Sequence, residues 1–136
     1  MSGRILEKYA GRNGGADLVT DAAESGAIDD FGCFGWLRGI RDRSLSLELR
    51  KANGNIVAIP YHAIERFEFD PSEGITLKLG AGSIRVKGRN LNAEMRPTIR
   101  LYEGMTRHRV SWVREADSRS DAAAGGSDTV IDAIEW

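Results

Sequence analysis

Between Ser44 and Val86 the chain alternates apolar and polar side chains with a period of two. Leu45, Leu47 and Leu49 interleave with Ser44, Ser46, Glu48 and Arg50. Phe67 and Phe69 interleave with Arg66 and Glu68, and Ile75, Leu77 and Leu79 with Thr76 and Lys78. Ile84 and Val86 interleave with Ser83, Arg85 and Lys87. Each run predicts a strand with one buried face. Val110 and Trp112 add a last short strand.

The segments between the runs carry turn chemistry. Asn53-Gly54-Asn55 supplies residues that tolerate positive φ. Asp70-Pro71-Ser72-Glu73-Gly74 fits a type I turn with a glycine at its exit. Gly80-Ala81-Gly82-Ser83 is a third tight connection, and Pro60-Tyr61-His62-Ala63 marks a corner. After Gly88 a short helix is expected, with Asn92 as its N-cap ahead of Ala93-Glu94-Met95. Pro97 forbids one straight helix from 93 to 105 unless it lies in the first turn.

Side-chain parity then sets registers. Phe67 shares a face with Leu77 if the two are paired, which puts Arg66 opposite Lys78. Pairing Leu79 with Ile84 puts Lys78 opposite Arg85. Arg66, Lys78 and Arg85 would then line the non-core face of three adjacent strands. Like charges so opposed cost about 0.2–1 kcal/mol per pair. Either Glu68, Glu48 or an acidic tail neutralises them, or they form an anion-binding stripe.

Composition narrows the class. The chain has 136 residues, 41% hydrophobic and 29% charged, the size and balance of one globular domain. No apolar run reaches the roughly 20 residues that span a bilayer, so no membrane partner is expected. The first residues lack an apolar signal core. The single cysteine, Cys33, excludes an internal disulfide and fits the reducing cytoplasm. Three segments are expected: a loosely ordered one over 1–28, a small β-domain over 29–114, and a flexible linker and tail over 115–136.

A formal net charge of -1 hides a strong asymmetry. Residues 71–114 hold nine basic and three acidic side chains; residues 115–136 hold one basic and six acidic. The tail ends in Asp128-Thr-Val-Ile-Asp-Ala-Ile-Glu-Trp136. As a helix, Val130, Ile131 and Ile134 would share one side, yet so short a segment has no stability alone. With Trp136 it is expected to dock: on its own domain, on a neighbouring subunit, or on another protein.

Catalytic chemistry finds no support. There is no Gly-x-Ser-x-Gly elbow, phosphate loop or dinucleotide fingerprint. Cys33 reads as a small buried hydrophobe, His62 as a corner residue and His108 as a contact within the Arg107–Arg109 cluster. Asp70 and Glu73 read as turn formers, and two histidines with one cysteine are too few for a zinc site. No metal, cofactor or catalytic residue is expected.

The run Ile84-Arg-Val-Lys-Gly-Arg-Asn-Leu91 resembles the second motif of the Sm-like small barrels, hydrophobic-Arg-Gly-x-Asn-hydrophobic, with Lys87 in place of arginine. The resemblance covers residues 44–91. It implies an SH3-like or Sm-like barrel of about five antiparallel strands, and RNA contacts from Lys87, Gly88 and Asn90, with Arg89 between them. The structural alternative is a pleckstrin-homology-like barrel, in which the helix follows the strands. Two functions stay open. One is a non-enzymatic protein-interaction or self-assembly module. The other is a nucleic-acid-binding module using Arg66, Lys78, Arg85 and the 87–90 loop.

Overall fold

A computed structural model describes residues 26–117, 119 and 124–136. Most of the segment expected to be loosely ordered, and part of the linker, lie outside these residues. Nine strands are present among them. They are β1 (Ile28–Asp30), β2 (Phe34–Leu37), β3 (Ser46–Arg50), β4 (Ile56–Pro60), β5 (Arg66–Asp70), β6 (Gly74–Leu79), β7 (Gly82–Arg89), β8 (Val110–Arg114) and β9 (Val130–Glu135). A 3-10 turn, Tyr61–Ala63, follows β4, and one α-helix, α1 (Leu101–Thr106), precedes β8.

The strands form two sheets, ordered β1-β2-β8-β3-β4 and β5-β6-β7-β9. No ladder among the described residues joins one sheet to the other. The protein is mainly β, as the period of two predicts, with more strands than the five expected. Every pairing is antiparallel but one: β8 runs parallel to β3, setting Leu49 beside Val113.

One core lies between the sheets. Leu47, Leu49, Phe34, Val110 and Val113 come from the first; Ile75, Leu77, Val86, Ile131 and Ile134 come from the second. Leu101 and Met105 of α1 join them, fully buried. Burying each of these side chains contributes about 1.5–3 kcal/mol. Of the leucines and isoleucines foreseen from alternation, Leu47, Leu49, Ile75, Leu77 and Ile84 are buried, but Leu45, which precedes β3, is 89% exposed.

Three further expectations need correction. The β5–β6 register is as derived, Phe67 opposite Leu77 and Arg66 opposite Lys78. The β6–β7 register is shifted by two: Leu77 pairs with Ile84, Lys78 with Ser83, and Thr76 with Arg85. The two-residue turn Gly80–Ala81 is tighter than the four-residue loop assumed, so face parity survives while partners change. The helix begins at Leu101, not at Ala93. Asn92 still serves it, since its side-chain oxygen accepts the Glu103 amide at 3.3 Å. Finally, the tail is a strand and not a helix. β9 pairs antiparallel with β7, burying Val130, Ile131 and Ile134.

Phe34–Leu37 is buried at every position, so it shows no alternation. One face is covered by the Trp112 ring and the other packs against α1. A Cβ at Gly35 would run into the Trp112 indole, and Trp36 lies against Gly104 of α1. Only a glycine leaves room for the Trp112 ring against this strand.

Candidate functional site

The anticipated basic face lies on the outside of the β5-β6-β7-β9 sheet. Arg66 is salt-bridged to Glu68 at 2.9 Å, Arg85 to Glu73 at 3.2 Å, and Lys87 to Glu135 at 3.3 Å. Lys78 is exposed and makes no salt bridge among the described residues. Arg66 and Lys78 are direct neighbours, but Arg85 sits one pair further along, opposite Thr76 and Glu135. The continuous row of three cations is therefore broken. Three of the four positive charges on this face are answered by carboxylates, Glu68 within the sheet, Glu73 in the β5–β6 turn and Glu135 in the tail. Such exposed pairs contribute little to stability, a median of about 0–1 kcal/mol.

The motif loop at the end of β7 has a structural occupation. Gly88 stands at a bulge opposite Ile131, and a Cβ there would collide with the Val130 carbonyl. Asn90 adopts φ 56° and turns its side-chain amide to the tail, donating to the carbonyls of Gly126 at 3.0 Å and Asp128 at 2.9 Å. The Thr129 hydroxyl donates back to the Asn90 carbonyl at 2.7 Å. Arg89, exposed at the end of β7, pairs with Val130. Of the residues the resemblance assigns to RNA, Gly88 and Asn90 are engaged in receiving β9, and Lys87 is paired with Glu135 of that strand.

Glu115 locks the same strand from its other side. One carboxylate oxygen accepts the Ile134 amide at 2.7 Å; the other accepts the Ala52 amide, beyond β3, at 2.8 Å. Ala116 adds a backbone bond to the Ile131 carbonyl at 2.8 Å. Trp136 is 46% exposed, with the Lys51 ammonium 4.0 Å from its ring centre. The tail's apolar residues thus dock on their own fold.

Cys33 is buried, and its thiol donates to the Thr129 carbonyl at 3.2 Å. Burial pushes its pKa up to about 12, opposite to the shift a nucleophile needs. His108 stacks on Tyr61 with ring centres 4.3 Å apart, in a left-handed backbone conformation. The Tyr61 hydroxyl donates to the Val110 carbonyl at 2.7 Å, and burial raises its pKa. Asp70 accepts from the Ser72 amide and hydroxyl, both at 2.8 Å; these bonds hold its pKa below the ordinary value. Its turn role needs no further chemistry.

Two features escaped the sequence reading. First, among the described residues β4 is one of the two edges of its sheet, and its sequence Ile-Val-Ala-Ile-Pro carries no charge. Ile56 is 57% exposed there. Natural edge strands are usually protected by charge, as β5 is by Arg66, Glu68 and Asp70. The absence of charge over 56–60 was visible; that this run lies at an edge was not.

Second, the β2–β3 loop is organised around Arg109. Its guanidinium donates to the carbonyls of Leu37, Gly39, Ile40 and Asp42 at 2.5–3.3 Å. Desolvation, and then the nearby Arg43, lower the Arg109 pKa from its ordinary value. The loop so held presents Ile40 at 84% and Leu45 at 89% exposure. A cleft of about 240 Å³ separates it from α1, with Ile40, Arg43, Glu103 and Arg107 among its lining residues.

No helix among the described residues is long and apolar enough to cross a membrane. Compared with protein-family models, curated proteins and solved structures, the chain finds no match.

Proposed function

We propose that this chain is a non-enzymatic protein-interaction module that assembles with a second copy of itself through edge strand β4. The observation that carries the reading is the uncharged, half-exposed edge Ile56–Pro60. An open strand edge offers a row of peptide groups to any extended segment. Two β4 strands laid antiparallel about Ala58 oppose no like charges. The formal net charge of -1 leaves little repulsion between copies. The result would be an isologous pair in which two five-stranded sheets become one.

We also read the two sheets around their single core as a flattened small barrel of SH3-like or Sm-like type. The nucleic-acid reading has less support, because its cations face carboxylates and Gly88 and Asn90 hold the tail.

Light scattering on the full chain at rising concentration tests the proposal. A dimer is expected for the native chain. Ile56→Lys with Ala58→Lys should give a monomer with an unchanged melting temperature, since both positions are exposed. A native chain that stays monomeric, or a double variant that still dimerises, overturns it.

A further inference from the structure

The β2–β3 loop lies at one end of the other sheet from the tail and takes no part in the assembly proposed above. Its construction is unusual for a surface loop. Ile40 and Leu45 point into solvent while the backbone beneath them is fixed by Arg109 to four carbonyls. Arg43 adds a bond from its guanidinium to the Asp42 carbonyl at 2.8 Å. Gly26 donates its amide to the Asp42 carboxylate at 2.7 Å. A loop with so many anchors loses little conformational freedom when it meets a partner. It spends that order on holding two large apolar side chains in water.

Charge defines the partner. Arg41, Arg43 and Arg107 are all exposed, and Arg43 and Arg107 share with Ile40 the cleft beside α1. Arg107 is only loosely held, 3.7 Å from Glu103. The acidic side chains nearby are each engaged: Asp42 by Gly26, and Glu103 by Arg107. A convex tip of apolar side chains flanked by arginines suits a surface that is negative outside and apolar beneath.

We propose that the β2–β3 loop is a peripheral contact site for an anionic lipid surface. Ile40 and Leu45 enter the boundary between headgroups and acyl chains, and Arg41, Arg43 and Arg107 meet the headgroup phosphates. A protein partner fits less well, since protein hot spots favour exposed aromatic anchors and a receiving pocket. Here the aromatic beneath the loop, Trp36, is buried. A single-stranded nucleic acid would also need stacking rings. The contact is reversible and shallow, and it departs from the expectation of no membrane partner, which rested only on the lack of a long apolar run.

Co-sedimentation of the full chain with vesicles tests this directly. The native chain should bind phosphatidylcholine vesicles that contain phosphatidylserine, and not vesicles of phosphatidylcholine alone. Ile40→Ser with Leu45→Ser should weaken binding at least about tenfold. Both residues are almost wholly exposed, so the melting temperature should hold. Arg41→Glu should weaken binding most at low salt. The edge variant carrying Ile56→Lys and Ala58→Lys should retain binding per chain, which separates this site from the dimer. The proposal is overturned by absent vesicle binding at low salt, or by equal binding of the Ile40→Ser, Leu45→Ser variant. Retention on polyglutamate or on a single-stranded RNA without retention on vesicles would overturn it as well.

Discussion

The side-chain amide of Asn90 holds the backbone of Asp128, donating to its carbonyl at 2.9 Å across the entry to β9. Asn90 reaches this position through a left-handed backbone, φ 56°, which asparagine tolerates better than most residues. Asn90→Ala should therefore lose both the clamp and the backbone preference, costing about 1–3 kcal/mol in urea unfolding. Asn90→Gly keeps the backbone freedom and should cost about 1 kcal/mol less. Equal losses would mean that the amide matters and the conformation does not.

Gly88 gives a sharper test of the same strand. A methyl group there meets the Val130 carbonyl, part of the β9 backbone and unable to turn aside. Gly88→Ala should loosen β9, and amide hydrogen exchange should rise for Ile131 and Ile134 before it rises for Leu77. Protection that falls uniformly would show that β9 does not open separately from the core.

The two faces of the second sheet should respond in opposite ways. Leu77, fully buried, should cost about 2–5 kcal/mol on change to alanine. Arg66 is paired with Glu68 at the exposed surface, so Arg66→Ala should cost less than about 1 kcal/mol. Denaturation at low and high salt should leave the first value unchanged and shrink the second. A large cost at Arg66 would place its face against something in the fold.

Alkaline pH should reveal Cys33. Burial raises its pKa from 9.0 to about 12, so the neutral thiol is the form that the fold favours. That contribution is fully present below pH 9.0 and is lost as pH rises toward 12. Cys33→Ala should flatten this part of the stability profile. The part that remains should include Tyr61, whose pKa is raised for the same reason. A thiol reagent should label the folded chain slowly; rapid labelling would contradict the burial.

What was legible in the sequence was local. Phe67 and Leu77 were paired correctly because the turn over Asp70–Glu73 fixes their distance along the chain. Leu79 and Ile84 were misplaced by two residues because Gly80-Ala81-Gly82-Ser83 accommodates more than one turn length. The tail's sequence leaves helix and strand open, since Val130, Ile131 and Ile134 suit either period in so short a run. What decides for a strand is the free edge of β7, with Gly88 and Asn90 waiting on it, and no local pattern displays an edge. Phe34–Leu37 hid for a related reason. Covered on one side by α1 and on the other by Trp112, it has no polar face to betray its period. The β2–β3 loop was invisible as a candidate site because Arg109, which shapes it, is remote in sequence.

The parallel ladder between β3 and β8 bears on the time the chain takes to fold. β3–β4 and the β5-β6-β7 meander close over short turns and can form early. β8 cannot take its place between β2 and β3 until Glu48 has found Trp112, with β4, β5, β6, β7 and α1 lying between them in the chain. Closing so large a loop is an entropic toll that no neighbouring contact lightens, and folds dominated by such pairings take about milliseconds to seconds. For that interval β2 and β3 are both without the strand that separates them, and between them they carry Phe34, Trp36, Leu37, Leu47 and Leu49. The vulnerable moment in this molecule's life is the search by one five-residue strand for its slot.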